Sequence, residues 1–154
     1  MINFVSFIIM CLVGIFFNPM NVLAYRLNDI YMSTTLFYSG LLMASNMIWS
    51  HELIHYITMR HINLTNFTIG ISLSLFIGIF LLRQQLFVDK KQWLRRMIGH
   101  HSTAITTTKQ LLKDNNNFKD DATMYRLAKD IIFNQELEIL QMKSLLNEKI
   151  KNKM

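Results

Sequence analysis

The chain has 154 residues, 51% of them hydrophobic, and its 16 Lys and Arg exceed its 10 Asp and Glu for a net charge of +6. So apolar a chain is not disordered, and the lone Cys11, with Met10 before it, supports neither a disulfide framework nor a lipoprotein site. A basic balance raises nucleic acid as a partner, but the C-terminal Lys and Arg alternate with Asp and Glu, no aromatics interleave them and no recognition motif occurs, so nucleic acid is excluded.

Before Arg83 the only basic residues are Arg26 and Arg60 and the only acids Asp29 and Glu52. A helix crosses a hydrocarbon core about 30 Å thick with roughly 20 apolar residues. Three segments satisfy this: about Ile2 to Ala24, Ile30 to Trp49 and Leu64 to Leu82. The first lacks a basic n-region and an Ala-x-Ala-like cleavage site, so it reads as a span rather than a signal peptide. Asn18-Pro19 marks a kink in it or a return to the interface. The sequence thus predicts a transmembrane region over 1–86, with helices about 2–24, 30–58 and 64–82, in a multi-pass integral membrane protein whose first partner is the lipid bilayer. Gly70 and Gly78, with Ser72 and Ser74, are expected to allow close helix packing in the third span, as Ser39 and Gly40 do in the second.

The second helix carries Met43, Met47, His51, His55 and Met59 at intervals of four, one ridge along its side. This ridge is a secondary candidate for a soft metal; its plainer reading is Met packing between helices and polar residues in the interfacial layer. His51-Glu52-Leu53-Ile54-His55 also fits the H-E-x-x-H pattern, in which two His on one helical face bind zinc and Glu is the general base. No third ligand follows in a protease-like context, so a membrane zinc metalloprotease is the lesser alternative and the chain is read as a non-enzyme.

Beyond the third span stand Arg83, Lys90, Lys91, Arg95 and Arg96. The positive-inside rule places this segment and the following domain in the cytoplasm, and the same charges suit anionic lipid head groups. From Lys91 onward Trp93, Met97, His101, Ala104, Thr108 and Leu111 recur at helical spacing. The polar run from Lys113 to Asp121 breaks the period and offers Asp120 as an N-cap. A second helix follows with the stripe Leu127, Ile131, Gln135, Glu138, Met142 and Leu145. The predicted domain is a helical hairpin over 87–150 with a frayed tail at 151–154. Two helices cannot close a core alone, so dimerisation into a four-helix bundle, or a higher homo-oligomer, is expected to complete it.

The hairpin stripes carry the candidate chemistry. Met97, His100 and His101 lie within one turn, and Gln135, Glu138 and Met142 occupy successive turns of the partner helix. An antiparallel hairpin brings His101 towards Glu138 and Met97 towards Met142. Thioether with imidazole suits copper, Cu(I) above all, whereas His with carboxylate also suits zinc, iron or Cu(II). Against this stands core packing for the Met residues and simple pairing for the polar ones.

The run Trp93-Leu94-Arg95-Arg96-Met97-Ile98-Gly99-His100-His101-Ser102-Thr103-Ala104-Ile105, then Leu127-Ala128-Lys129-Asp130-Ile131-Ile132 and Gln135-Glu136-Leu137-Glu138-Ile139-Leu140-Gln141-Met142, resembles the domain-of-unknown-function 305 family from about Asp89 to Leu146. The resemblance implies an all-α, ferritin-like hairpin and a copper-handling role. It also implies an extracytoplasmic domain, opposite to the charge rule, and the first half resembles a membrane-anchored subgroup with Met-rich helices. Two departures stand out: Gly99 replaces the family's common Pro, and Thr106, Thr107, Thr108 and Lys109 replace soft or acidic residues. The expected function is membrane-anchored copper handling, and the alternative is a structural or interaction module whose metal site has lapsed.

Overall fold

A computed structural model describes residues 4–113 and 121–151, and among these there is no strand. The helices are α1 (Phe4–Phe16), α2 (Pro19–Val22), α3 (Thr34–Met59), α4 (Leu64–Phe76), α5 (Lys90–Leu112) and α6 (Ala122–Lys151), with a single 3-10 turn at Leu27–Asp29 and a π-helical continuation of α4 over Ile77–Arg83. The all-α expectation holds. Asp120 and residues 152–154 of the expected tail lie outside the described residues.

The chain forms two compact units, one made of Met1–Asn18 and Thr34–Val88, the other of Pro19–Ser33 and Asp89–Met154. This differs from a single boundary after residue 86, because the chain enters the second unit at Pro19, leaves it at Ser33 and returns at Asp89.

In the first unit α1 and α4 both pack on α3. Cys11, Ile15, Leu36 and Ala44 form its apolar core, so Cys11 is a packing residue. Close approach rests on glycine: a Cβ on Gly40 would stand 2.4 Å from Ile15 Cγ1, and one on Gly70 would stand 2.8 Å from the Trp49 backbone nitrogen. Among the described residues Gly78 has nothing within 4 Å of that position, so no close approach within the chain rests on it. Two hydroxyls on α3 turn back on their own helix, Ser39 Oγ donating to the Leu36 carbonyl at 2.7 Å and Ser45 Oγ to that of Leu41 at 2.8 Å, while Thr35 Oγ1 donates to Gln85 Oε1 at 3.0 Å and the Tyr38 hydroxyl to the Leu86 carbonyl at 2.9 Å. Phe4–Val22 and Leu64–Arg83 are long and apolar enough to cross a membrane by length and composition. The expected middle span is not, because Asn46, Ser50, His51, Glu52 and His55 lower the hydropathy of α3. Among the described residues two helices meet the measure, not the expected three.

In the second unit α5 and α6 pack on each other. Asp89 caps α5 by accepting the Gln92 N–H at 2.7 Å, and Asp121 caps α6 by accepting that of Met124 at 2.8 Å. Leu94, Ile98 and Ile105 of α5 meet Ile139, Met142 and Leu146 of α6, with Tyr31 and Met97 at the edge. The buried stripe of α5 is turned from the expected one by one residue, or about 100°, whereas on α6 Met142 of the expected stripe is buried but Ala128, Ile139 and Leu146 take the places of Leu127, Glu138 and Leu145. Trp93 and Leu111 are 52% and 45% exposed, and Leu127 and Leu145 also face outward. The cause is the Pro19–Ser33 segment, a strap packed on α5 through α2 and the 3-10 turn. It covers the Ser102 side of α5, so Leu94 and Ile98, rather than Trp93, face the interior.

Candidate functional site

The hairpin brings together one part of the expected ligand set. His101 Nδ1 stands 2.8 Å from Glu138 Oε2, and Gln135 Nε2 donates to the same oxygen at 3.4 Å. The first contact is an ion-pair approach without the alignment of a hydrogen bond. The His100 ring lies edge-on to that of His101, centroids 5.9 Å apart, and is itself exposed. The thioethers go elsewhere: Met142 is buried in the apolar core and Met97 packs against it. Leu94, Ile98 and Ile139 surround them there, which is the filler role an unbranched thioether suits. Among the described residues no three His, Cys, Asp or Glu side chains stand so as to hold a metal ion together.

Burial pushes the His101 imidazole below its ordinary value; the nearby Glu138 carboxylate pulls the other way, and His100 adds to the lowering. The folded protein therefore favours neutral His101. A histidine depressed by folding contributes stability above its unfolded value of about 6.5, and that contribution is lost as pH falls below it. Thermal melts should show this unit losing stability between pH 7 and pH 5, with a shallower fall in His101→Gln. Equal slopes in both proteins would refute the assignment.

A second polar cluster, which periodicity alone did not reveal, fastens the strap. Asp29 is 1% exposed; its Oδ1 pairs with Lys143 Nζ at 2.5 Å and its Oδ2 accepts Ser102 Oγ at 2.7 Å. The Tyr25 N–H donates to Ser102 Oγ at 2.7 Å, so that fully buried hydroxyl both gives and receives a bond. Lys109 lies 4.0 Å from the Tyr25 ring centroid and donates to Glu136 Oε1 at 2.8 Å, and the Glu136 carboxylate holds its ammonium above the usual lysine range. The signal available in sequence was Asp29 itself, an acid in an otherwise almost uncharged half.

The third cluster lies at the α3–α4 turn. His51, Glu52, His55, His61, Asn63 and Asn66 line a cavity of about 150 Å³. Glu52 is 5% exposed, and its two oxygens accept the Asn63 N–H at 3.1 Å and Asn66 Nδ2 at 3.2 Å. That carboxylate ties the end of α3 to the start of α4. Of the ridge Met43, Met47, His51, His55 and Met59, only the two histidines line this cavity, joined by His61; the three methionines are exposed, and Met43 lies over Gly14.

Residues 85–146 match the family described as "Domain of unknown function (DUF305)". Over 141 residues the chain is 38% identical to "Uncharacterized protein L153" of Acanthamoeba polyphaga mimivirus, covering 90% of this chain and 88% of that protein. No solved structure matches it. The hairpin with its His-His pair and Gln-x-x-Glu end lies within the matched stretch, and a relative this similar over this much of both chains extends the kinship to the apolar half: the chain belongs to the DUF305 family.

Proposed function

We propose that this protein is a non-catalytic, membrane-anchored helical module whose copies associate through the outer face of α6. One observation carries the reading. On the side of α6 away from Ile139, Met142 and Leu146, Phe133, Leu137 and Leu140 form a stripe exposed by 63%, 43% and 61%. An apolar stripe of this kind on a surface otherwise rich in Lys, Glu and Asn marks a contact site. A hairpin supplies two helices of a four-helix bundle, so a second copy, stripe against stripe, is the occupant that completes the family architecture. Anchoring rests on the first unit: Val5, Ile9 and Phe16 of α1 and Ile69, Leu75 and Phe76 of α4 are exposed apolar side chains that water would not favour and lipid would. In this reading α3 also crosses the bilayer, Ser39 and Ser45 bonded to its own backbone and its flanks packed by α1 and α4.

Sedimentation equilibrium in detergent tests the association. The wild-type protein is expected to be dimeric and Leu137→Lys/Leu140→Lys monomeric; a wild type that is monomeric at every concentration would end the proposal.

The contact of His101 with Glu138 favours a second reading, copper handling. With Met97 and Met142 in the core, its donors are the two imidazoles, the Glu138 carboxylate and the Gln135 amide, a set that suits Cu(II) better than Cu(I). Copper content after loading separates the readings. The module reading expects equal copper in wild type and His100→Ala/His101→Ala; copper lost from the double variant alone would establish the metal reading.

A further inference from the structure

We propose that His51, His55 and His61 form a binding site for a borderline divalent transition-metal ion, zinc(II) being the test case, in which Glu52 takes no catalytic part. It lies outside the stretch matched by the family and does not depend on the association proposed above.

The inference starts from the turn after α3. Arg60 adopts a left-handed backbone with φ of 55°, uncommon for a residue with a side chain, and this reverses the chain so that the His61 carbonyl faces the His55 ring. His55 Nδ1 lies 2.8 Å from that carbonyl oxygen. A carbonyl only accepts, so Nδ1 carries the proton and Nε2 keeps its lone pair, the arrangement by which an outer hydrogen bond orients a metal-binding imidazole. One turn earlier the His51 ring is nearly parallel to that of His55, centroids 6.4 Å apart, and the His61 ring is perpendicular to it at 5.9 Å. Three imidazoles therefore surround one cavity of about 150 Å³, room for an ion with bound water. The rings do not yet converge on one point. The adjustment falls on His51 and His61, both exposed, which turn about their side-chain bonds.

The donor chemistry selects the ion. Neutral imidazoles suit zinc(II), copper(II) and nickel(II), and the absence of thioether from the cavity disfavours copper(I). The same geometry separates binding from proteolysis. An H-E-x-x-H protease needs its glutamate free to take a proton from metal-bound water. Here both Glu52 oxygens are held by Asn63 and Asn66, so the motif supplies two ligands and a structural tie.

Zinc(II) titration of the full-length protein in detergent, followed by calorimetry and by metal content after desalting, tests the site. One zinc per chain is expected in the wild type and in His100→Ala/His101→Ala. Affinity should fall at least about tenfold in His51→Ala and in His61→Ala, exposed positions whose loss leaves the fold intact, as matching circular dichroism melts would verify. Glu52→Gln, which keeps one acceptor oxygen, should still bind zinc. No stoichiometric zinc in the wild type, or equal affinity in wild type and His51→Ala/His55→Ala/His61→Ala, would overturn the proposal. Zinc lost only from His100→Ala/His101→Ala would place the metal in the hairpin and overturn it equally.

Discussion

Asp29→Ala should destabilise the second unit by about 3 kcal/mol, seen as a thermal transition lowered on the order of 10–20 °C. The side chain is 1% exposed and is the acceptor for two groups, Lys143 Nζ and Ser102 Oγ. Removing it leaves an ammonium and a buried hydroxyl without their acceptor, and the cost of an uncompensated group exceeds the net worth of the pair. Lys143 retains 24% of its side-chain exposure, which keeps the figure at the lower end of the range for broken buried pairs. Asp29→Asn keeps an acceptor for Ser102 and should lose less. In a double-mutant cycle, Asp29→Ala with Lys143→Met should cost less than the sum of the single changes, because the second substitution removes the stranded charge. A loss under about 1 kcal/mol in Asp29→Ala would mean that the strap is not held by this contact.

The second large effect is expected at Ile98. It is fully buried among Leu94, Ile105 and the facing α6 residues, and truncation to Ala removes its transfer free energy and leaves a cavity, about 2–5 kcal/mol in total. Trp93→Ala, at a half-exposed position on the same helix, should change stability by roughly 0.5 kcal/mol or less. Far-UV circular dichroism melts of the two variants separate the two possible faces of α5. If Trp93→Ala proved the costlier, the helix would be rotated by one residue, with the stripe through Met97 and His101 inward.

That rotation shows where sequence reasoning stops. Helix existence was legible from period and composition, and α5 begins at Lys90, one residue before the expected start. The face was not, because Trp93-Leu94 and Met97-Ile98 offer apolar residues on adjacent stripes. Only the strap, which is distant in sequence, decides between them. The contact of His101 with Glu138 followed from antiparallel pairing of two helices and was foreseeable. The diversion of Met97 and Met142 into the core was not, since a thioether serves a metal or a gap equally well. The Asp29 cluster joins residues 73 and 114 positions apart, beyond the reach of any local period. His61 escaped notice as a ligand because its place beside His55 depends on a left-handed residue that is not glycine.

The strap also bears on how the molecule is made. Its partners Ser102 and Lys143 leave the ribosome long after Pro19–Ser33 does, so the second unit cannot close until synthesis has passed Lys143. Contacts of such long sequence separation carry a high loop-closure entropy and predict slow folding relative to a simple helical hairpin. The hairpin is accordingly a poor cassette: a fragment or fusion beginning at residue 85, where the family match starts, would leave Asp29 behind and expose the Ser102 side of α5. Evolution could exchange the apolar half of this protein only by carrying those fifteen or so intervening residues with it.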